Sequence, residues 1–105
     1  LDRTKSRAMR DILIEKSVRR TWAAQPQDVQ ERLRDGLEEV AAERKPTDHH
    51  SVILMDGVRS AVYRYRSGNQ RVIFTTDKGR LLVWRVGERQ HVYDNLNHTY
   101  SKLTP

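Results

Sequence analysis

The chain has 105 residues, of which 20 are Lys or Arg and 14 are Asp or Glu, so its formal net charge is +6. A chain of this length usually forms one compact domain. Its longest apolar runs have four residues, far short of the ~20 needed to cross a bilayer, and it contains no cysteine. These features exclude a transmembrane helix, a disulfide framework and a thiolate metal site. We therefore expect a cytoplasmic domain that needs neither a membrane nor a cofactor.

The positive charge is concentrated in the C-terminal half. Residues 1–57 carry 11 basic and 11 acidic side chains, whereas residues 58–105 carry 9 basic and 3 acidic ones. Between residues 58 and 76 there are four arginines and no carboxylate. An electropositive surface of this kind attracts polyanions.

The N-terminal half predicts an arm, a strand and two helices. Residues 1–10 are charged and lack periodicity, so we predict a flexible arm. Residues 11–15 alternate enough for a short strand, and Ser17 can cap a brief helix. From residue 26 to about residue 44 apolar side chains recur with helical spacing, opposite a charged face. This apolar stripe comprises Val29, Leu33, Leu37, Val40 and Ala41.

The C-terminal half predicts an antiparallel meander. Three segments, at 61–66, 71–76 and 80–86, are rich in β-branched, aromatic and arginine residues. Turn residues separate them at 67–70 and 77–79. Residues 52–55 are a candidate for one more short strand. The predicted fold class is α+β: a strand, two helices and a three-stranded antiparallel meander, forming one twisted sheet with the helices on one face.

The loop lengths predict a register for the meander. A four-residue loop at 67–70 pairs Tyr65 with Val72 and Tyr63 with Phe74. A three-residue loop at 77–79, with Gly79 left-handed, pairs the next two strands; the predicted pairs are Thr76 with Arg80, Phe74 with Leu82, and Val72 with Trp84. One apolar face should then pack under the helices: Tyr63, Tyr65, Val72, Phe74, Leu82, Trp84 and Val86.

Arginines occupy the other face in this register. It places Arg71 between Arg66 and Arg85, with Arg64 one step along its strand. Like charges directly opposite one another destabilise a sheet, so this row requires either full solvation or an anionic partner. Guanidinium groups bind phosphate in bidentate fashion. Arg64, Arg66, Arg71 and Arg85 are therefore candidate contacts for a phosphate-bearing polyanion.

These residues resemble a known family. The stretch from Asp56-Gly57 through VYRYRSGNQRVIFTTDKGRLLVWRVGERQHVYDN is similar to the C-terminal half of the RelE/ParE superfamily of bacterial and archaeal toxins. The shared order is a strand with alternating arginines, a short turn, an Arg-Val-Ile-aromatic strand, a third strand, and a Gly-x-Arg ending followed by Val and Tyr. The resemblance covers roughly residues 11–95 and leaves 96–105 as a loose tail.

For the RNA-cleaving branch, the resemblance implies the toxin of a type II toxin–antitoxin system. Such a toxin is a ribosome-dependent, metal-independent endoribonuclease that cuts mRNA and forms a hetero-complex with its cognate antitoxin. By position, Arg71 matches the arginine on the scissile phosphate, Arg89 the arginine at the leaving group, and Tyr93 the tyrosine that acts as general base. Arg64 and Arg66 match further RNA contacts.

The chemistry of RNA cleavage agrees with these assignments. Internal cleavage requires a base for the 2′-hydroxyl, a cation over the phosphorane and help for the leaving oxygen. Tyrosine has a reference pKa of ~10, and nearby arginines would favour its phenolate form. His91 and Glu88 are alternative acid–base groups, Glu88 also being a simple partner for Arg89. Tyr93 could equally be a residue at the edge of the core.

A second function stays open. The ParE branch shares the fold but inhibits DNA gyrase by binding it, without nuclease activity. Arg89 and Tyr93 favour the nuclease. No metal is expected at Asp48-His49-His50, because adjacent histidines in a loop seldom converge on one ion and no third ligand is suitably spaced.

Overall fold

A computed structural model describes residues 10–55 and 61–88 of the chain. The elements in chain order are β1 (Asp11–Ile14), a 3₁₀ turn (Lys16–Val18), α1 (Arg19–Ala23), α2 (Gln27–Ala42), a second 3₁₀ turn (Pro46–Asp48), β2 (Val52–Leu54), β3 (Tyr63–Ser67), β4 (Gln70–Asp77) and β5 (Arg80–Gly87). In the part described, no helix is long and apolar enough to cross a membrane.

The five strands form one sheet in the order β1-β5-β4-β3-β2. Strand β1 is parallel to β5, and the remaining pairs are antiparallel. The predicted α+β class, the two helices and the meander are confirmed. The meander gains a strand at each edge, and β2 lies where residues 52–55 predicted a strand.

The main core lies between the helices and one face of the sheet. Helix α2 buries Leu33, Leu37, Val40 and Ala41, which are four of the five residues in the predicted apolar stripe. The cluster also contains residues of the first 3₁₀ turn, of α1 and of four strands: Val18, Trp22, Val52, Tyr65, Val72, Phe74, Leu81, Val83 and Val86. Since a fully buried Leu or Phe contributes about 1.5–3 kcal/mol, this cluster is the main source of stability.

Both ends of the helical region are fixed by side-chain hydrogen bonds. Glu15 accepts from the Ser17 amide at 2.8 Å and also from the Ser17 hydroxyl, so Glu15, and not Ser17 as predicted, caps the first turn. These bonds lower the pKa of Glu15. At the other end, Arg10 donates to the carbonyls of Glu43 and Arg44 at 2.8 and 3.0 Å. The backbone amide of Arg10 also donates to the Ala41 carbonyl at 2.9 Å, one of the carbonyls that the end of α2 leaves without a partner in the helix. Arg10, the last residue of the predicted arm, is thus fixed to the end of α2.

Gly36 is the point where α2 touches the sheet most closely. A Cβ built on Gly36 would lie 1.8 Å from the Tyr65 hydroxyl and 2.5 Å from the ring carbon that bears it. The helix therefore needs glycine at this position, although glycine costs a helix interior up to about 1 kcal/mol relative to alanine. Tyr65 is buried beneath it, and burial raises the pKa of the Tyr65 phenol.

The register predicted for the first hairpin is confirmed. Tyr65 pairs with Val72, Tyr63 with Phe74, and Arg66 with Arg71. The turn itself is Gly68-Asn69, between the paired residues Ser67 and Gln70. Gly68 has φ of +59°, the conformation that a two-residue hairpin turn of type II′ needs at its first position.

The register predicted for the second hairpin is wrong. Asp77 pairs with Arg80, so the loop has two residues, Lys78 and Gly79. Both have positive φ, at 43° and 80°, which is the type I′ pattern that follows the twist of the strands. Thr76 therefore faces Leu81 and not Arg80. This shift by one residue exchanges the two faces of β5 near the turn.

A β-bulge then restores the alternation further along β5. Phe74 pairs with Val83 but Ile73 pairs with Arg85, which makes Trp84 the extra residue of β5. Leu81 and Val83 are thus fully buried in the core, in place of the predicted Leu82 and Trp84. Val86 faces Val72 and is buried as predicted, because the bulge cancels the shift in facing.

Candidate nucleic-acid interface

Four arginines share the side of the sheet that faces away from the helices, and we call this surface the arginine face. Two rows of paired residues run across β3, β4 and β5: Arg64, Ile73 and Arg85 form the first row, and Arg66, Arg71 and Gly87 form the second. The strands project these side chains because they alternate with the core residues Tyr65, Val72 and Val86. The predicted arginines therefore lie on one surface.

The arrangement within this surface differs from the predicted single row. Arg71 faces Gly87, whereas Arg85 faces Ile73 in the neighbouring row. The two-residue turn and the bulge together move Arg85 two positions away from the predicted pairing. Arg71 and Arg85 are thus diagonal neighbours, and two guanidinium groups are spared direct opposition.

Arg66 and Arg71 face each other directly across β3 and β4. Arg66 donates through Nε to the Gly68 carbonyl at 3.3 Å. Arg71 donates through Nη1 to the Glu88 carbonyl at 2.6 Å and to the Asn69 carbonyl at 3.5 Å. Within residues 10–55 and 61–88, neither arginine forms an ion pair with a carboxylate. Backbone carbonyls orient the pair without neutralising it.

Arg64 lies between two isoleucines, Ile53 on β2 and Ile73 on β4. Ile73 is fully buried although it lies outside the main core cluster. The Nε atom of Arg64 is also buried, and among the described residues it has no hydrogen-bond partner. A buried donor without an acceptor costs about 1–3 kcal/mol, so Arg64 is held at this site at some expense in stability.

A pocket of about 440 Å³ opens beside Arg64 and Arg66. It lies between the edge strand β2 and the β3–β4 turn. Its lining residues are His50, Ser51, Ile53, Arg64, Arg66 and Gly68. Sequence reasoning missed it, because His50, Ser51 and Ile53 come from a segment that carries no recognisable motif and reaches Arg64 only through the pairing of β2 with β3.

The two adjacent histidines have separate structural roles. The Nδ1 atom of His49 accepts from the Ser51 amide at 3.1 Å, which leaves Nε2 to donate to Glu39 at 2.9 Å. His49 is buried and its ring packs edge-on against Tyr65. His50 is exposed and stacks on His49 with ring centres 4.6 Å apart. The part of the chain that the structure describes contains no group of three or more side chains able to hold a metal ion.

Three of the predicted site residues, Arg89, His91 and Tyr93, lie outside the described residues. Glu88 is described and exposed. Its backbone carbonyl binds Arg71. The structure therefore brings Arg64, Arg66, Arg71 and Arg85 onto one face, and Arg71 into contact with the residue that precedes Arg89 in the chain.

Comparison with known proteins identifies the fold. No family model and no curated protein matches the sequence. A solved structure of the archaeal RelE–RelB complex from Pyrococcus horikoshii OT3 matches with a TM-score of 0.63 and 21% identity, over 78% of this chain and 97% of that chain. The RelB–RelE antitoxin–toxin complex from Methanococcus jannaschii matches with a TM-score of 0.60 and 22% identity, over 78% and 95%. The chain thus has the fold found in these complexes.

Proposed function

We propose that this chain is the toxin of a toxin–antitoxin pair and that it cleaves mRNA on the ribosome. The observation that carries the proposal is the arginine face on a fold found in two RelE–RelB complexes. A face with four guanidinium groups suits a phosphodiester chain, since arginine binds phosphate oxygens in pairs.

Arg71 is the proposed ligand of the scissile phosphate. Among the described residues, both of its hydrogen bonds use Nη1, so Nε and Nη2 are free to donate to two oxygens. Those two groups form one edge of the planar guanidinium, the geometry of a bidentate phosphate contact. The bond to Glu88 fixes the direction of this edge before any substrate binds, which is how a preorganised site stabilises developing charge.

Arg64, Arg66 and Arg85 are the proposed contacts to neighbouring phosphates. Arg66 holds the Gly68 carbonyl through Nε, which leaves its two terminal nitrogens for RNA. Cleavage itself further requires a general base and protonation of the leaving 5′-oxygen. We assign these roles to Tyr93 and Arg89, with His91 and Glu88 as accessory groups. Attack by the 2′-hydroxyl then needs no metal ion and no cofactor.

The proposed partners follow from the same function. The ribosome presents the mRNA, and a cognate antitoxin holds the toxin inactive in a hetero-complex. The arginine face favours an antitoxin segment rich in Asp and Glu, because an acidic segment would neutralise Arg66 and Arg71, which form no ion pair within the described residues. Co-expression of the chain with its neighbouring reading frame should therefore relieve any arrest of growth.

A reconstituted translation system tests the proposal. Wild-type protein should arrest translation and produce defined mRNA cuts on ribosomes, and mRNA alone should stay intact. Arg71→Ala, Arg89→Ala and Tyr93→Phe should each reduce cleavage about 100-fold or more, the usual effect of removing one group that stabilises the transition state. Arg80→Ala is the matched control, because Arg80 pairs with Asp77 at the other end of β5 and its loss should leave cleavage unchanged.

Two outcomes would contradict the proposal. Unchanged cleavage by the Tyr93→Phe and Arg89→Ala variants would show that the catalytic assignment is wrong. Inhibition of gyrase supercoiling by the wild type, with translation unaffected, would support the ParE-like alternative.

A further inference from the structure

The pocket beside Arg64 is lined by described residues that do not include Arg71, the proposed ligand of the scissile phosphate. Its volume of about 440 Å³ is within the range of roughly 300–1,000 Å³ that is usual for small-ligand sites. Two of its lining residues, Arg64 and Arg66, belong to the arginine face, and the others come from the β2 segment and the β3–β4 turn. The pocket thus extends the arginine face to the edge of the sheet.

The lining has the chemistry of a nucleotide site. It provides two guanidinium groups, one imidazole, the Ser51 hydroxyl and an aliphatic wall, and its described lining residues include no carboxylate. The wall is Ile53, whose side chain is 45% exposed. An exposed apolar side chain beside two cations suits a ligand that is flat and apolar on one part and anionic on another.

The imidazole of His50 is held in place before any ligand arrives. Its ring stacks on His49 with an interplanar angle of 18°. His49 is itself fixed on both ring nitrogens, by Glu39 and by the Ser51 amide. A ring that is already oriented loses little conformational freedom when a base packs against it.

Arg64 supplies an independent indication of an anionic ligand. Its Nε is buried and, among the described residues, lacks an acceptor. A buried cationic donor of this kind is stabilised when an anionic group binds to the same guanidinium. The lining of the pocket includes this arginine, so a phosphate bound there would compensate the charge.

We propose that this pocket binds one nucleotide of a single-stranded RNA, with the base against Ile53 and the His50 ring and the phosphate on Arg64 and Arg66. The inference deepens the proposed function, on which it rests for the identity of the ligand. It gives the RNA a second anchoring point at the β2 edge, beside the phosphate site at Arg71. An acidic peptide would satisfy the arginines equally, but it would leave Ile53 and the His50 ring without a planar partner.

Binding of an RNA that cannot be cleaved tests the pocket separately from catalysis. The probe is a fluorescently labelled tetranucleotide of 2′-O-methyl RNA, titrated with the full chain while fluorescence anisotropy is recorded. His50→Ala and Ile53→Ala should each weaken binding about 5- to 30-fold, as expected for loss of one stacking contact. Leu13→Ala and Arg80→Ala are matched controls, since Leu13 is an equally exposed apolar residue on the opposite edge strand and Arg80 is an arginine remote from the pocket.

Each result either supports or overturns the pocket. Wild-type affinity in both the His50→Ala and Ile53→Ala variants, or no RNA binding by the wild type, would overturn it. If an acidic peptide binds the wild type but not the His50→Ala variant, while the RNA affinity of that variant is unchanged, the pocket binds a protein partner instead. Circular dichroism of each variant checks that the exposed substitutions leave the fold intact.

The two proposals can fail separately. If the wild type cuts no mRNA on ribosomes but the pocket variants still lose RNA affinity, the pocket stands and the nuclease function is wrong. If the wild type cuts mRNA and both pocket variants bind RNA normally, the nuclease function stands and the pocket is wrong.

Discussion

The helix-facing side of the sheet and the arginine face differ in what holds their side chains. On the helix side Val72 and Phe74 are completely buried against α1 and α2. On the arginine face Arg66 and Arg71 lie directly opposite each other and bind only backbone carbonyls within the described residues. One side is satisfied by packing within the chain, whereas on the other side these two arginines have no ion pair within the described residues.

Under the proposed function, one small sheet serves both stability and RNA binding. Alternation along β3 and β4 places a core residue next to each arginine, so that strong packing on one side positions the cations on the other. The helix side offsets the cost of holding like charges together. Substitutions on the two sides should therefore have separable effects on folding and on RNA binding.

Truncation of the largest fully buried side chain should give the largest effect on stability. Phe74→Ala is expected to lower the free energy of unfolding by about 3–5 kcal/mol, because it removes a fully buried ring and leaves a cavity. Urea denaturation measures the loss. The neighbouring Thr75→Ala, on the other face of β4, is the comparison. It removes the hydroxyl that accepts from Trp84 Nε1 at 2.8 Å and should cost only about 1 kcal/mol. Equal losses for the two variants would contradict the contrast between the faces.

A substitution on α2 tests how closely the helix is packed on β3. Gly36→Ala should destabilise the protein by about 1–3 kcal/mol, the usual cost of overpacking a core, because the new methyl group would overlap Tyr65. Asp35→Ala, at an exposed position of the same helix, should be neutral or slightly stabilising. If Gly36→Ala raised stability in thermal unfolding, the close contact with Tyr65 would be absent.

The arginine face should respond in the opposite direction. Arg66→Ala removes one of two cations that face each other, so it should raise the free energy of unfolding by roughly 0.2–1 kcal/mol at low salt, with a smaller gain at high salt. Arg80→Ala removes an arginine paired with Asp77 and should give no such gain. Denaturant titrations at two salt concentrations compare the two variants. If Arg66→Ala lowered the free energy of unfolding, the opposition of Arg66 and Arg71 would not destabilise the sheet.

The smallest effect concerns alkaline pH. Burial raises the pKa of the Tyr65 phenol in the folded state. The contribution of this shift to the free energy of unfolding is complete below the unfolded pKa of ~10. It is lost as the pH rises through the pKa of the folded state. Tyr65→Phe should therefore flatten the fall in stability above that pH. A matched change at partly buried Tyr63, Tyr63→Phe, is the control, and identical alkaline profiles for wild type and Tyr65→Phe would disprove the coupling.

The fold was largely predictable from the sequence because its elements carry strong local signals. Helix α2 shows a clear apolar period, and the turn residues at 67–70 led to the correct register of the first hairpin, although its turn has two residues and not the predicted four. The predicted register of the second hairpin was wrong for two reasons. Lys78 adopts positive φ, which lysine rarely does, and nothing in the sequence marks the bulge at Trp84. The two errors of register add up to two positions, which restores the facing of the residues, so Val86 was assigned to the correct face for an incorrect reason.

The site was predictable only for residues whose place in it depends on which side of a strand they occupy. Strand alternation placed Arg64, Arg66 and Arg71 on one face, since that depends on the first hairpin alone. The contact between Arg71 and Glu88 and the His50 pocket depend on pairings between distant segments, which local patterns do not specify. The need for glycine at position 36 likewise arises from Tyr65, a residue 29 positions away.

The salt dependence of RNA binding tests most directly whether the arginine face binds phosphate. The affinity of the wild type for a single-stranded 2′-O-methyl RNA should fall steeply as salt rises, because bound phosphates release counterions. The double variant with Arg66→Ala and Arg71→Ala should reduce the slope of log affinity against log salt by about 1.4, or about 0.7 for each lost phosphate contact. The account would be contradicted if the double variant kept the wild-type slope and if Arg80→Ala gave the same dependence of affinity on salt as the double variant.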